Sequence, residues 1–549
     1  MIRPTILAAA LVAVVAAAPA DTDFSAERFK AHVTFLADDL LEGREAGTRG
    51  HEIAAKYVAA QFELFGLKPG GDDGTYFKKV DLLESALTGA APTVSITTPA
   101  GPKVLRQGVT AVISGPVDGG SVRVSGPLVF VGYGMTDKAM GYDDYEGLDV
   151  RGRIAVVLIG SPKGMNSEIG AHLLHEQPRF AAEHGAVAVL RIPTRLTSTT
   201  MLPWDKVVQY FGDPVTTWVR KDGTPDDPAH GLKAGAMLEP KAAASLFEGA
   251  GITLAQILDE ADKDGGRPKG RLLKSTAEIA VTIKGRRYSS PDVIGVIEGS
   301  DPKLKDEYVA LMGHVDHIGV KRAGKGDRIN NGALDNAAGT ATLLEVARVL
   351  TATARPRRSV LIVANTAEEK GLLGAEYFAH YPSVPIERIT AAIDLDMPLI
   401  TYDFTDVIAY GATHSTLHDT FKQAGAAMNV KLSPDPMPEQ AVFVRSDHYA
   451  MVKVGVPAVM LATGMENGGS AAWGKYLSDH YHQPSDDVSL PIVWKAGAKF
   501  AEVNYRVVRT LADADAPAKW YEGDYFGNLF APKASKAPKP AGSNDQPQP

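Results

Sequence analysis

The sequence predicts an α/β protein in which a mixed central sheet is flanked by helices and a β-rich region is inserted into the chain. From about residue 275 onward, strand-like and helix-like segments alternate, which is typical of a sheet covered by helices on both faces. Residues 81–274 instead contain short β-rich runs between Gly, Pro and Asp turns. We therefore expect residues 21–80 and 275–530 to form one domain, with residues 81–274 inserted into it.

The individual elements are predicted from apolar spacing and from turn residues. Two N-terminal helices are expected, over residues 29–41 and in the segment that ends at Gly66, which is a typical C-cap residue. The inserted region should contain strands at 128–131, 154–158 and 186–190, and a helix at 179–185. The C-terminal series should contain a helix at 336–350 and strands at 308–312, 359–364, 391–393 and 454–461.

The composition is that of a globular protein with more than one domain. The chain has 549 residues, 45% hydrophobic and 22% charged, and its net charge of −8 gives no reason to expect a nucleic-acid partner. It contains no cysteine, which excludes disulfides, thiol nucleophiles and cysteine-bound zinc. Any metal must therefore be held by histidines and carboxylates.

The two termini carry signals of their own. Arg3 precedes an apolar run at 6–17, and small residues at Ala18 and Ala20 allow cleavage before Asp21, so residues 1–20 are predicted to be a signal peptide. The protein is then expected to be exported, either to a periplasm or to the extracellular space, with no transmembrane segment in the mature chain. Residues 531–549, rich in Pro, Lys and Ala, are predicted to be a disordered tail.

Polar residues cluster where the predicted strands end, which is where open α/β sheets place ligands. His314 and Asp316 follow the first strand of the C-terminal series and project to the same side of an extended segment. His314 can ligate a metal while Asp316 orients its ring. Asp335 lies at a predicted helix start, where it is either an N-cap residue or a carboxylate that bridges two metals.

Adjacent acids follow the predicted strand at 359–364. Burying an unpaired carboxylate costs on the order of several kcal/mol, because the charge loses its contact with water. The Glu368–Glu369 pair after a buried strand therefore indicates a chemical role. We expect Glu369 to bind metal and Glu368 to act as the general base. Three carboxylates and a hydroxide would balance the charge of two Zn²⁺ ions.

For two further ligand positions, the sequence offers two candidate residues each. Asp394 and Asp396 share one face of an extended segment, and only the local context favours Asp396 as the ligand. His480 and His482 lie two residues apart near the end of the domain and compete for a second histidine position.

Taken together, these segments resemble the M28 family of zinc aminopeptidases. The matching motifs occur in family order and are Gly313-His314-Val315-Asp316, Leu334-Asp335-Asn336, Glu368-Glu369-Lys370-Gly371-Leu372-Leu373-Gly374, Asp394-Leu395-Asp396-Met397, Arg445-Ser446-Asp447-His448 and Tyr481-His482. Segments 35–47, 129–134 and 149–154 resemble larger members that carry a protease-associated domain. Asp394 stands where the family commonly has Asn, and Gln483 where it usually has Thr.

The resemblance implies the zinc-exopeptidase type of fold and a set of residue roles. One zinc would be held by His314 and Asp396, the other by Glu369 and His482, with Asp335 bridging the two. Glu368 would be the general base, and Asp316 would orient His314. Tyr481 would stabilise the tetrahedral oxyanion, and Arg445 would contact the substrate.

The expected function is that of an exported di-zinc aminopeptidase that hydrolyses N-terminal residues from peptides through a metal-bound hydroxide. A carboxypeptidase on the same scaffold is the first alternative, because Lys321, Arg322 and Arg445 could bind a substrate carboxylate. A non-catalytic peptide-binding homologue is the second, and a cyclase acting on N-terminal Gln is a weaker third.

Overall fold

A computed structural model describes residues 22–201, 203–212 and 214–540 of the chain. The predicted signal peptide, residues 1–20, lies outside the described residues. Within the described ranges, the strands form one mixed sheet of 17 strands and a separate two-stranded ribbon. Among these residues, no helix is both long and apolar enough to cross a membrane.

The C-terminal series of strands forms the half of the sheet that carries the predicted site. The three strands Tyr308–His314, Ser359–Asn365 and Ile389–Asp394 run parallel, with Tyr308–His314 in the middle. Ala458–Thr463 continues this parallel set, whereas Asp406–Tyr410 runs antiparallel to it and pairs with Lys431–Ser433.

Helices cover both faces of this half of the sheet. Val309 and Leu311 belong to one apolar cluster and Ala310 and Met312 to another, as expected when successive side chains of a strand point to opposite faces. The helices of this part of the chain are Ala26–Leu36, Arg49–Phe65, Ala338–Ala352, Leu373–His380, Leu417–Ala426, His448–Lys453, Gly469–Asp479, Trp494–Asp513 and Tyr525–Phe530.

The inserted region, residues 81–274, has an apolar cluster of its own, to which Val94, Phe130 and Leu190 belong. Its strands are Thr93–Thr98, Gly101–Arg106, Ala111–Ser114, Gly120–Phe130, Ile154–Ile159, Ala188–Pro193, Val215–Trp218 and Ala234–Leu238, and Thr136–Asp137 and Tyr142–Asp143 form the two-stranded ribbon. Its helices are Ser167–His175, Gln177–Glu183, Trp204–Phe211, Pro240–Ala243 and Leu254–Ala261. The domain limits at 81 and 274 stay predictions, and both fall inside strands.

Two long strands, Phe77–Leu87 and Arg271–Ile297, connect the inserted region to the rest of the sheet. They pair antiparallel over 11 residues, from Phe77 opposite Val293 to Leu87 opposite Ile283. The second strand has 27 residues and also pairs with strands on both sides of the boundary, including Gly120–Phe130 and Ser359–Asn365. Both connections between the two parts are therefore built into one sheet.

The predicted elements are found with shifted bounds. The second N-terminal helix ends at Gly66 in the left-handed conformation (φ 77°), as its sequence indicates. The first ends at Leu36, and a 3-10 segment, Asp39–Arg44, replaces its expected last turn. The last predicted strand begins at Ala458 instead of 454, because the preceding residues form a turn with Gly455 at φ 92°.

At the C-terminus, residues 531–540 of the predicted tail contact the folded part of the chain, since Lys536 Nζ donates to the Gly527 and Ala531 carbonyls.

Side chains of the inserted region contact the other part at several places, among them Trp218 and Glu168. Trp218 is buried, donates from Nε1 to Glu376 Oε2 at 3.3 Å and packs edge-on against Tyr377, in the helix that follows the Glu368–Glu369 pair. At the second place, His414 lies between carboxylates from two other segments. Its Nδ1 is 2.6 Å from Asp524 Oδ2 and its Nε2 is 3.0 Å from Glu168 Oε2.

Replacing His414 by Gln should destabilise the protein at neutral pH. Burial alone would lower the pKa of His414, but the charges of Asp524 and Glu168 outweigh it and raise the pKa to about 10. Removing the cation leaves two acids, whose side chains are only 10% exposed, without their counter-charge, which costs about 3–5 kcal/mol of unfolding free energy. The difference from the wild type is measured by urea unfolding at pH 6.

The same titration gives the pH dependence of this effect. Because the pKa of His414 is higher in the folded protein, its stabilisation is complete below the usual pKa of 6.5 and is lost as the pH rises to about 10. The gap between the wild type and His414→Gln should therefore shrink between pH 6 and pH 10. His418→Gln, at a more exposed histidine beside Asp419, is the matched control. A gap that widens with pH would contradict this assignment of charge.

Candidate metal centre

The predicted site lies at the carboxyl ends of the three parallel strands. His314 is the last residue of the middle strand, and Asn365 and Asp394 end the strands on its two sides. The loops after these strands bring Glu369 and Asp396 to the same edge of the sheet. Ligand candidates that are far apart in the chain therefore meet because parallel strands end together.

His314 is buried and its ring is oriented by the backbone. Its Nδ1 lies 3.2 Å from the carbonyl oxygen of Asp316, so this nitrogen carries the hydrogen and donates it. Its Nε2 lies 3.2 Å from Asp396 Oδ1 and 3.5 Å from Asp335 Oδ1. Burial would lower the pKa of His314, but Glu368, Asp396 and Asp335 together raise it well above its ordinary value.

Asp316 contacts the expected partner, His314, through its carbonyl and hydrogen-bonds a second one through its side chain. Its carboxylate Oδ1 is 3.8 Å from His314 Nδ1, beyond hydrogen-bonding distance, and accepts a hydrogen bond from the backbone N–H of Glu368 at 3.2 Å. Burial raises the pKa of Asp316 to about 6. Its side chain thus contacts the segment of the predicted base, while only its carbonyl contacts the histidine.

Asp335 lies between the two histidines and is not a helix N-cap. The helix begins at Ala338, and it is the Asn336 side chain that accepts from a backbone N–H, that of Gly339 at 3.0 Å. Asp335 has φ −115° and ψ 88°, and a cis peptide bond joins it to Asn336. Its Oδ1 faces His314, while its Oδ2 lies 3.3 Å from Nε2 of His482. The arrangement fits the bridging alternative.

The two adjacent glutamates take separate positions. Glu369 Oε2 lies 3.2 Å from His482 Nε2, whereas the nearest contact of Glu368 to a histidine is 4.0 Å, from its Oε2 to His314 Nε2. Burial raises the pKa of Glu368 well above its ordinary range, and the charges of Glu369 and Asp396 add to this effect. For Glu369, burial is outweighed by His482 and His317, which lower the pKa well below its ordinary value.

The structure separates the members of the two ambiguous pairs. Asp396 reaches His314, while Asp394 Oδ2 lies 2.6 Å from the hydroxyl of Ser446. The same hydroxyl lies 2.8 Å from Asp396 Oδ2 and so links the two acids. His482 reaches Asp335 and Glu369, while His480 Nδ1 contacts Ser485 Oγ at 3.0 Å.

The two residues predicted to contact substrate lie at the margin of this cluster. The Tyr481 ring stacks on His482 with centroids 3.9 Å apart. Burial raises the pKa of Tyr481 well above its ordinary value, as do the charges of Asp335, Glu369 and Glu368, so its hydroxyl keeps its proton. Arg445 is exposed, and its Nη1 donates to the carbonyl of Gln440 at 3.4 Å.

Three residues of the site were not singled out from the sequence. His317 is buried, and its Nδ1 lies 2.6 Å from Glu369 Oε1. Asp486 accepts hydrogen bonds from the backbone N–H groups of Leu334 and Asp335 at 3.0 and 3.1 Å, so it fixes the segment of the bridging candidate. Its pKa is raised to about 6 by burial. In the sequence, the only indication that Asp486 belongs to the site is its position four residues after His482.

Arg44 is the third of these residues and holds two loops of the site together. Its buried guanidinium donates to backbone carbonyls only, at Val315, Leu36, Asn331 and Gly332. Burial lowers the pKa of Arg44 to about 10, although Asp486, Asp316 and Asp335 oppose the shift. A lone Arg in a Gly-rich segment gives no sequence signal for such a role, because its partners lie up to 288 residues away.

The donor atoms fit zinc in both chemistry and spacing. Zn–O and Zn–N bonds of roughly 2.0–2.1 Å in a tetrahedral site place neighbouring ligand atoms about 3.3 Å apart. The four contacts of the histidine Nε2 atoms with Asp396, Asp335 and Glu369 measure 3.2 to 3.5 Å. The atoms of His314, Asp335 and Glu369 also form a group able to hold a metal ion. The 4.0 Å contact of Glu368 is longer than such an edge.

Comparison with known proteins points to zinc peptidases. Residues 292–508 match the family model described as Peptidase family M28. A protein of Rattus norvegicus named Aminopeptidase NAALADL1 is 27% identical over 381 residues, which are 60% of this chain and 44% of that protein. A protein of Pyrenophora teres f. teres (strain 0-1) named Probable zinc metalloprotease is 34% identical over 106 residues, 19% of this chain and 22% of that protein. The chain thus spans less than half the length of these relatives.

Among solved structures, an aminopeptidase from Aneurinibacillus sp. strain AM-1 shares the fold. The TM-score is 0.52 at 20% identity, and the alignment covers 89% of this chain and 94% of that one. The prediction of a mixed central sheet flanked by helices is thereby confirmed.

Proposed function

We propose that this chain is an exported di-zinc aminopeptidase of peptidase family M28, in which residues 81–274 form a protease-associated domain. The observation that carries the proposal is the position of Asp335, whose two oxygens face two different histidines at 3.5 and 3.3 Å. A carboxylate that serves only one metal has no need of a histidine on each side. The match of residues 292–508 to the M28 family supports the same conclusion.

The residues divide into two sets of ligands. His314 and Asp396 would hold one zinc, Glu369 and His482 the other, and Asp335 would contribute one oxygen to each. Zinc supplies Lewis acidity, which lowers the pKa of water and polarises a carbonyl group. Glu368 lies beside these ligands, and a carboxylate there takes a proton from the attacking water and returns it to the leaving amine. Asp316 holds the backbone of Glu368 in place for this transfer.

The charge of the site favours an amine over a carboxylate as the terminal group of the substrate. Two zinc ions and a hydroxide would balance Asp335, Glu369 and Asp396, so Glu368 is the acid beside the reaction centre that remains to attract a protonated N-terminus. Lys321, one of the cations considered for a substrate carboxylate, instead donates to Gln483 Oε1 at 2.5 Å. This arrangement supports an aminopeptidase over the carboxypeptidase alternative.

The proposal is tested with matched peptides and metal analysis. The protein should carry two zinc ions per chain and release the first residue of a tripeptide amide, while the same tripeptide with an acetylated N-terminus and a free C-terminus should be left intact. Cleavage of only the acetylated, C-terminally free peptide would identify a carboxypeptidase. Zinc binding without cleavage of either peptide would indicate a non-catalytic homologue.

Replacing Tyr481 by Phe should lower kcat by about 10²–10³-fold with little change in KM. The hydroxyl keeps its proton beside the acids of the site, so it can donate a hydrogen bond to the oxyanion, a contact that strengthens only in the transition state. Steady-state kinetics on an aminoacyl nitroanilide measure the effect. Tyr505→Phe, in a helix remote from these ligands, is the control. A rise in KM alone would assign Tyr481 to ground-state binding instead.

A further inference from the structure

We propose that His317 is a positioning residue that holds Glu369 to a single metal-facing oxygen, an inference that rests on the di-zinc site proposed above. The distance between His317 Nδ1 and Glu369 Oε1 is 2.6 Å. That is shorter than the edge of about 3.3 Å expected between two ligands of one tetrahedral zinc. It fits a charge-assisted hydrogen bond from the imidazole to the carboxylate.

The two oxygens of Glu369 thereby have different partners. Oε1 faces His317, and Oε2 faces His482 Nε2 at 3.2 Å, which is a ligand-to-ligand distance. A free carboxylate can bind a metal through either oxygen or through both. The hydrogen bond at Oε1 removes that choice and leaves Oε2 as the oxygen directed to the metal.

His317 is itself held in one orientation. Its backbone N–H donates to the Arg44 carbonyl at 3.3 Å, and its ring packs edge-on to His482 with centroids 5.7 Å apart. A Cβ atom at Gly332 would come within 2.7 Å of the ring, so only glycine lets the loop pack this closely. These contacts of its backbone and ring keep His317 Nδ1 directed at Glu369.

Ligation of a metal through His317 Nδ1 does not fit these distances. Its Nδ1 is 4.0 Å from Asp335 Oδ1, longer than the contacts that Nε2 of His314 and Nε2 of His482 make with that carboxylate. Its Nε2 is buried and has no hydrogen-bond partner among the residues that the structure describes. The hydrogen on Nδ1 faces the carboxylate, which leaves that nitrogen no lone pair for a metal.

The test compares two substitutions by zinc titration of chelator-treated protein. His317→Leu removes the donor, and one of the two zinc affinities should fall by about 10–100-fold while the other stays unchanged. His317→Asn carries an amide N–H near the position of Nδ1 and should recover most of the loss. His480→Asn, two residues from a ligand, is the matched control and should bind both ions as the wild type does.

Each other outcome has a defined meaning. Unchanged affinities in His317→Leu would overturn the positioning role, as would equal losses in the Leu and Asn variants. A wild type that binds fewer than two zinc ions would instead contradict the proposed function. If His317→Leu does not fold, ¹⁵N NMR of the histidines in the zinc-loaded wild type decides the matter. The positioning role requires a proton on His317 Nδ1 and a metal-free Nε2, whereas a direct ligand would bind zinc through one of these two nitrogens.

Discussion

Glu368→Gln is expected to keep both zinc ions and to lose about 10²–10⁴-fold in kcat. The Glu368 carboxylate is only 13% exposed and lies beside His314 without reaching ligand distance, so the amide should leave the ligands undisturbed. Glutamine has the same shape but cannot take a proton from water or return one to the leaving amine. Metal analysis and steady-state kinetics on the same preparation separate the two effects.

Glu63→Gln, at an exposed position of an N-terminal helix, is the control for the loss of one negative charge. It should behave as the wild type in both measurements. Activity within tenfold of the wild type in Glu368→Gln would exclude Glu368 as the base. Loss of zinc in this variant would assign it to the ligands.

Asp335→Asn should remove both metals together. Among the residues that the structure describes, Asp335 is the one carboxylate that faces Nε2 of both His314 and His482, and Asn offers one neutral oxygen in the same volume. Ligands that bind only the folded protein stabilise it by roughly 4 kcal/mol at a thousandfold excess over Kd. A chelator should therefore lower the Tm of the wild type and leave the Tm of Asp335→Asn unchanged, as measured by calorimetry.

The control for this experiment is Asp306→Asn, which removes an exposed acid from the loop before the middle strand. It should keep two zinc ions and the full response to the chelator. Retention of one tightly bound zinc in Asp335→Asn would show that the two metal positions are independent, and the bridging role would then be wrong.

The residues at strand ends could be predicted because their signal is local. A buried strand followed at once by His314, Glu368 or Asp396 combines an apolar run with polar groups that are costly to bury, and both are visible in a short window. The helix that ends at Gly66 was predictable for the same reason. Periodicity and caps depend on neighbours within one or two turns.

The supporting residues could not be predicted in this way, because their partners are distant in the chain. Arg44 is separated by 271 residues from the Val315 carbonyl to which it donates, and Asp486 by 151 from the Asp335 N–H. The long strand Arg271–Ile297 was missed for a different reason. Gly285 and Pro291 interrupt its pattern as turn residues do, yet the ladder with Phe77–Leu87 runs through both positions and keeps the chain extended.

The ladder between Phe77–Leu87 and Arg271–Ile297 also decides how the chain can be divided. Cutting at residue 81 would sever the first strand inside this ladder, and cutting at residue 274 would sever the second strand between its two stretches of pairing with Gly120–Phe130. Each fragment would then expose edge strands with unpaired N–H and C=O groups, which are templates for aggregation. The inserted region is therefore not a detachable module. A shortened protein would need new turns at the points where these two strands now pass from one part of the chain to the other.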